Sequence, residues 1–149
     1  MPTNPKIIIE LGEQFELNEV AVIELFSPLK NWEEKFRQLM LLGKKLPILP
    51  IDHQLDEYLV SGCESKVWLV HQWHNQTLSL AATSDAKIVK GLIAVVLAAF
   101  NNKTKTQIIE FNLDNYFAQL NLLNQLSPSR ANGVHAIINE IKSFVDNVH

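Results

Sequence analysis

The most reactive side chain in the sequence is its only cysteine, Cys63, which lies in the stretch SGCESKVW. A single thiol cannot form an internal disulfide, and it supplies one ligand where a structural metal site needs about four. Gly62 allows a sharp turn before it, and three polar residues typical of a loop tip follow it, namely Glu64, Ser65 and Lys66. From these residues alone, a buried structural cysteine and a reactive loop thiol are equally acceptable interpretations.

Two histidines follow Cys63 in a stretch with the pattern of a strand, His71 and His74. Because side chains alternate along a strand, this spacing points them to opposite faces and argues against shared metal ligation. A zinc site built from Cys63, His71 and a carboxylate would need further ligands that the sequence does not offer at a recognisable spacing. A hydrolase triad of Cys63, His71 and Asp85 is conceivable, since triads assemble from distant positions, but no motif supports it.

Two charged residues, Asp85 and Arg130, stand near the starts of predicted helices. A carboxylate at a helix N-terminus compensates the helix dipole, and this is the simplest role for Asp85. An arginine in the first turn has the wrong sign for that role. We therefore expect Arg130 to pair with a carboxylate or to face a partner.

The overall composition favours one globular domain, residues 1–149, with a protein or small-molecule partner. The net charge of −3 gives no basic footprint for nucleic acid, and no apolar stretch approaches the roughly 20 residues that span a bilayer. The chain has one cysteine, and its N-terminus lacks the apolar core of an export signal. We therefore expect a cytoplasmic protein that binds neither nucleic acid nor membranes.

The first half of the chain predicts helices followed by a hairpin. One helix should begin after Asn31, a suitable N-cap, with its core face formed by four apolar residues at helical spacing: Trp32, Phe36, Leu39 and Met40. A shorter helix is predicted before it, in LNEVAVIELFSPL. The stretch KVWLVHQWHNQTLSLAAT alternates in polarity and turns at HNQ, so it predicts an antiparallel hairpin. A further short strand is expected from the segment that leads into Cys63.

The second half of the chain predicts helices only. The stretch SDAKIVKGLIAVVLAAF is apolar on almost every side, which indicates a helix buried through the middle of the domain. Ser84 is the predicted N-cap of this helix, Asp85 falls in its first turn, and Gly91 is expected to permit close packing.

Three more helix starts are predicted downstream. Thr104 and Gln107 have capping-box spacing, Asp114 is the predicted cap of the next helix, and Ser127 with Pro128 begins the last one. That last helix has a stripe of apolar residues: Val134, Ile137, Ile138, Ile141 and Val145. The predicted fold class is α+β, with a small antiparallel sheet packed against several helices.

Four segments of the chain together resemble the SufE family of cysteine desulfurase sulfur acceptors, which includes the related CsdE proteins. They are NWEEKFRQLMLLGKKLP, GCESKVWLV, SDAKIVKGLIAVVLAAF and LSPSRANGVHAIINEI, and the resemblance covers residues from about 27 to 145. The resemblance implies a small α+β fold similar to that of the iron–sulfur scaffold IscU. Residues 1–18 lie outside it and are expected to form an N-terminal extension.

The resemblance also implies which residues act. The cysteine of the GC-x-S-x-VW motif, here Cys63, would accept sulfur from the persulfide of a pyridoxal-phosphate-dependent cysteine desulfurase of the SufS or CsdA type. Asp85 of SDA and Arg130 of SPSR match positions that bear on the interaction with that desulfurase. Residues of the acceptor loop would support the same contact: Gly62, Glu64, Ser65 and Lys66.

One departure from the family pattern concerns the segment before the buried helix. The family commonly has GDSDA where this chain has ATSDA at 82–86. The first aspartate is therefore absent, so no role that rests on it is carried over, whereas Asp85 is kept.

The predicted function is that of a sulfur acceptor and carrier, not an enzyme, which stimulates its desulfurase. It would pass sulfur to an iron–sulfur scaffold or to a sulfur-modification protein. No cofactor is expected in this chain, because the pyridoxal phosphate belongs to the partner. The alternative is a non-catalytic adaptor that binds and redirects a desulfurase or a tRNA- or sulfur-modification enzyme, with Cys63 dispensable.

Overall fold

The computed structural model describes residues 4–147 as α-helices packed around one small sheet. The helices are α1 (Pro5–Gln14), α2 (Glu19–Phe26), α3 (Trp32–Gly43), α4 (Lys87–Phe100), α5 (Lys105–Glu110), α6 (Leu113–Leu120) and α7 (Pro128–Asp146). The strands are β1 (Val67–His74), β2 (Thr77–Ser84) and β3 (Lys103–Thr104). Short 3₁₀ turns occupy Ile51–His53, Asp56–Tyr58 and Leu123–Gln125. The predicted α+β class is confirmed.

The sheet is antiparallel with the strand order β1-β2-β3. The predicted hairpin is confirmed, with Val67 opposite Ser84 and His74 opposite Thr77. Asn75 and Gln76 join its strands with φ of 51° and 67°, and two left-handed residues match the twist of a two-residue hairpin turn. The third strand is not the one predicted, because the segment before Cys63 makes only a single bridge, from Leu59 to Trp68.

Helix α4 runs through the centre of the domain, as its sequence predicts. Eleven of its residues are buried, from Ile88 to Phe100. Gly91 is where α3 comes closest, because a Cβ atom there would collide with the carbonyl oxygen of Leu39 and lie 2.9 Å from the Leu39 Cβ. Gly43 of α3 lies at the same contact, because a Cβ atom at Gly43 would lie 3.0 Å from the Gly91 nitrogen. The expectation that Gly91 permits close packing is confirmed.

The buried face of α3 differs from the predicted one. Leu39 is buried, but Phe36 is 37% exposed and Trp32 and Met40 are only half-buried. Lys35, which is 5% exposed, takes a core position and donates from Nζ to the carbonyl oxygen of Asn121 at 3.2 Å. This carbonyl lies at the C-terminal end of α6, where the helix dipole favours a cation. Lys35 is therefore buried on this helix face, whereas the hydrophobic pattern predicted that Phe36 would be buried there.

Most predicted caps are correct, and two are wrong. The side chains of Asn31 and Ser127 cap α3 and α7, and Thr104 with Gln107 forms the predicted capping box. Ser84 is not the cap of α4, because it still belongs to β2 and the helix begins only at Lys87. Asp114 is not the cap of α6 either, since Asn112 accepts the hydrogen bond from the Asn115 backbone.

An additional helix lies in the N-terminal segment, for which the sequence predicts no element. Helix α1 packs on the sheet so closely that a Cβ atom at Gly12 would lie 3.0 Å from the Ser79 Cβ. The buried Asn101 side chain donates to the carbonyl oxygens of Gly12 and Phe15 and accepts from the Leu80 N–H. These bonds fix α1 to β2. Residues 1–3 of the expected extension lie outside the described residues.

No helix among residues 4–147 is both long enough and apolar enough to cross a membrane.

We expect Gly91→Ala to destabilise the protein by about 1–3 kcal/mol or more, because the added methyl group meets the backbone of α3 rather than a movable side chain. Without that contact, alanine in a helix would stabilise by up to about 1 kcal/mol. Urea unfolding measures the difference. Gly133→Ala in α7 is the matched control, since its new Cβ would meet only the Cys63 sulfur at 3.8 Å. Equal stability of both variants would contradict the prediction.

Candidate functional site

Cys63 lies in a loop, residues 61–66, that leads from the Leu59 bridge into β1. Gly62 has φ of +90°, a conformation that other residues adopt only at a cost in strain. A Cβ atom at Gly62 would lie 3.5 Å from the Ala136 Cβ, so the loop passes directly over α7. The backbone turn that the sequence predicted at Gly62 is therefore present, and it brings the thiol to α7.

The Cys63 thiol is half-buried against α7. Its Sγ–H points to the Gly133 carbonyl oxygen, with 3.7 Å between Sγ and that oxygen. The thiol borders a pocket of about 220 Å³ between the loop, α4 and α7. Most of the pocket walls are apolar, formed by Val67, Val89, Leu92, Val134 and Ile137. The sulfur therefore borders a partly sheltered space in which apolar side chains are the larger share of the walls.

Burial raises the pKa of the Cys63 thiol above its ordinary value. A thiolate loses hydration when it is buried, and no compensating cation is among the causes of this shift. At neutral pH the resting thiol is consequently protonated, which suits its donation to the Gly133 carbonyl. In this arrangement the thiol is in its protonated and less nucleophilic form.

Asp85 holds the end of the Cys63 loop. Its Oδ1 accepts a hydrogen bond from the Lys66 N–H at 3.1 Å, and its own N–H donates to the Lys66 carbonyl oxygen at 3.4 Å. The predicted place of Asp85 in the first turn of α4 is wrong, because the helix starts two residues later. Its carboxylate instead joins the segment after β2 to the loop before β1.

Arg130 lies at the mouth of the thiol pocket. It is exposed in the first turn of α7, and it lines the pocket together with Ser129, Glu64 and Ser65. Within residues 4–147, no carboxylate forms an ion pair with it. The expectation of an internal carboxylate partner is therefore wrong, and the alternative, that Arg130 faces a partner protein, stays a prediction.

The residues of the hypothetical hydrolase triad do not meet. His71 is half-buried and stacks on Phe144, with ring centroids 3.6 Å apart and planes at 12°, and burial lowers its pKa. Cys63 contacts α7 at Gly133, eleven residues before Phe144, which is roughly 16 Å along the helix. A cysteine–histidine pair is thus excluded by geometry. No group of three or more potential metal ligands is present in the described part of the chain.

Gly133 is the site residue that the sequence reasoning missed. Its carbonyl accepts from the thiol, and a Cβ atom there would meet the Cys63 sulfur at an ordinary contact distance of 3.8 Å. A signal for it exists, since glycine inside a helix is unfavourable by about 0.5–1 kcal/mol and so marks a position with a specific local role. Gly91 in α4 carries the same signal.

The fold and this loop define a class of protein: a small α+β domain that presents its single cysteine from a loop closed over a helix. The chain belongs to the SufE family, because the model of the SufE Fe-S metabolism associated domain matches residues 20–145. An uncharacterized SufE-like protein of Rhizobium meliloti (strain 1021) is 38% identical over 126 residues, covering 82% of this chain and 90% of that protein. The predicted family is confirmed.

A solved structure with a similar fold is the solution structure of a hypothetical protein from Thermus thermophilus. Its TM-score is 0.69, and the match covers 86% of this chain and 93% of that one. At 18% identity the likeness concerns the fold alone. Membership of the SufE family implies an accessory role in sulfur transfer for iron–sulfur metabolism, in contact with a cysteine desulfurase.

We expect Asp85→Ala to speed alkylation of Cys63 in the isolated protein by up to about tenfold, because one charge-assisted hydrogen bond no longer holds the loop. Iodoacetamide labelling followed by mass spectrometry measures the rate. Asp85→Asn keeps an acceptor oxygen and should lie between the two. Asp114→Ala removes an exposed carboxylate from α6 and should leave the rate unchanged. Equal acceleration by both alanine variants would show that the hydrogen bond from Lys66 to Asp85 does not restrain the loop.

The pH dependence of the alkylation rate should also differ between the folded and the unfolded protein. Since burial raises the Cys63 pKa, the folded protein binds the thiol proton more tightly, and the midpoint of the pH–rate profile should lie above the ordinary thiol pKa of about 8.5. In urea the midpoint should fall back to that ordinary value. If the midpoint pH of alkylation in the folded protein were equal to or below that of the unfolded protein, burial would not determine the pKa of this thiol.

Proposed function

We propose that Cys63 accepts one sulfur atom from the active-site persulfide of a pyridoxal-phosphate-dependent cysteine desulfurase and carries it to iron–sulfur cluster assembly. The observation that supports this most directly is the placement of Cys63. The thiol lies on a short loop with a glycine of positive φ before it, half-buried over an apolar pocket. A group that must be protected between encounters and presented during them suits such a loop.

The transfer is a thiol exchange in which atoms and electrons balance. The Cys63 thiolate attacks the terminal sulfur of the persulfide on the desulfurase cysteine. A sulfur–sulfur bond forms on Cys63, the sulfur–sulfur bond of the donor breaks, and its electron pair leaves with the desulfurase cysteine as a thiolate. The proton that Cys63 gives up passes to solvent or to the departing thiolate. No external oxidant or reductant is needed.

The resting site is unreactive until a partner docks. The raised pKa and the half-burial both oppose attack, so the loop must move outward to expose the thiol. Gly62 can absorb the backbone change, and loss of the Asp85–Lys66 bond would free the end of the loop. Outside the pocket, Lys66 and Arg130 would supply the positive charge that favours the thiolate. Docking thus activates the nucleophile.

The loaded protein should return its sulfur to the pocket. A persulfide is readily oxidised, and apolar walls limit its contact with water and oxidants. The pocket of about 220 Å³ has room for one added sulfur atom, which occupies a volume comparable to one water molecule, roughly 30 Å³. The protein would then act in the cytoplasm as a carrier without a cofactor of its own. The acceptor would be an iron–sulfur scaffold or a sulfur-modification protein.

Transfer is tested by incubating the protein with a purified cysteine desulfurase and cysteine, blocking free thiols and weighing the Cys63 peptide. We expect a gain of one sulfur atom that is released by a reductant, and no gain in Cys63→Ser. Arg130→Ala should slow loading at least about tenfold, as expected when a partly buried charge contact is removed, and Arg130→Lys should restore part of the rate.

The adaptor alternative makes the opposite prediction for Cys63→Ser. An adaptor would stimulate desulfurase turnover without a thiol, whereas a carrier stimulates by removing the persulfide. Turnover measured with Cys63→Ser therefore separates the two functions. Stimulation equal to that of the unmodified protein would overturn the carrier proposal.

A further inference from the structure

The two most exposed large hydrophobic residues of the described chain lie close together in one short connector. Ile48 is 87% exposed and Ile51 is 82% exposed, and both belong to the segment between α3 and the end of the first 3₁₀ turn. The remaining exposed large hydrophobic residues, such as Ile109 at 64%, lie on other elements. Two neighbouring and nearly fully exposed isoleucines on one short segment indicate a contact surface.

This connector is held rigidly, with its isoleucines outward. Leu49 is buried between α1 and the hairpin, and its carbonyl oxygen accepts from the Gln54 side chain at 2.9 Å. His53 is buried too, and its Nε2 accepts from the Asn4 backbone at 3.1 Å. Pro47 and Pro50 restrict the backbone further. Such preorganisation lowers the entropy that a binding partner must overcome.

The connector is continuous with the Cys63 loop. Ile48 borders a groove of about 290 Å³ whose other side includes Trp68, Asp85 and Lys90. Asp85 is the residue that holds Lys66, three positions from Cys63. An interface of ordinary size covers about 800 Å² on each partner, which corresponds to a radius of roughly 16 Å. A protein that covers Cys63 would therefore cover this groove as well.

The position of the connector, and not its charge, indicates the occupant. Lys44 and Lys45 precede the connector, Lys90 borders the groove, and four exposed carboxylates follow Ile51, namely Asp52, Asp56, Glu57 and Glu64, so the surrounding charge is mixed. The groove reaches Asp85, whose carboxylate holds the end of the Cys63 loop. A protein that reaches the Cys63 thiol is therefore the occupant that this surface favours.

We propose that the connector 47–51 with Ile48 and Ile51 is a docking surface for the desulfurase, which binds it through an apolar patch. This rests on the function proposed above and names the surface through which that function begins. A basic group that enters the groove beside Ile48 would also compete with Lys66 for Asp85. Docking at the connector would thereby release the Cys63 loop.

The test uses Ile48→Ser and Ile51→Ser in the full chain, with Ile109→Ser on α5 as the matched control. Each cysteine desulfurase of the same organism is titrated with each variant, and the half-saturating concentration for Cys63 loading is measured. We expect this concentration to rise at least about tenfold for the connector variants and to stay unchanged for the control. Circular dichroism verifies that all variants are folded.

A second measurement separates docking from the thiol itself. Loading of Cys63 from a small persulfide donor, such as cysteine persulfide, needs no docking surface and should be equal in all variants. If the unmodified protein accepts no sulfur from any desulfurase, the proposed function fails. If it does accept sulfur and the connector variants saturate at the same concentration, the docking surface alone is refuted.

Sedimentation velocity tests the other candidate occupant, a second copy of this chain. A self-association of the unmodified protein that Ile48→Ser abolishes, with unchanged desulfurase saturation, would assign the connector to a second copy and overturn the proposal.

Discussion

The burial of α4 is the constraint on which the other elements depend. Because this helix is apolar on nearly every side, it must be enclosed by α3, the hairpin and α7 together. The close approach at Gly91 sets where α3 lies, and the packing of α7 on α4 sets the surface on which the Cys63 loop rests. The position of the thiol is thus a consequence of how α4 is covered. A substitution deep in the core would therefore shift the Cys63 site although the substituted side chain does not contact that site.

The thiol site combines two opposing requirements. Under the proposed function, protection would require burial, which raises the pKa of Cys63 and keeps the sulfur neutral, while transfer would require an exposed thiolate. The loop is held by the contact of Cys63 with Gly133 and by the pair of hydrogen bonds between Asp85 and Lys66. One docking event could break so small a number of bonds. Loop position, rather than a neighbouring general base, would then control the reactivity of the sulfur.

The N-terminal helix connects to this site indirectly. It packs on the sheet through Gly12, and Asn101 ties it to the end of α4. The buried His53 accepts from the backbone of Asn4, so the connector that bears Ile48 and Ile51 is braced by the segment before α1. Helix α1 lies before residue 20, where the match to the SufE domain begins. In this chain, a helix outside the matched region supports the surface beside the Cys63 loop.

The sequence by itself determined the α+β class, the hairpin, the buried α4 and most caps, because these depend on local periodicity and on side chains that bond within a few residues. It also singled out Cys63, Asp85 and Arg130, the last two most firmly through resemblance. Only the tertiary structure decided that Lys35 replaces Phe36 in the core, that α1 packs on the sheet, and that Gly133 receives the thiol. These features join residues that are 70 or more positions apart. Such contacts leave little trace in local hydrophobic pattern, because their energy comes from a partner that only the folded chain brings near.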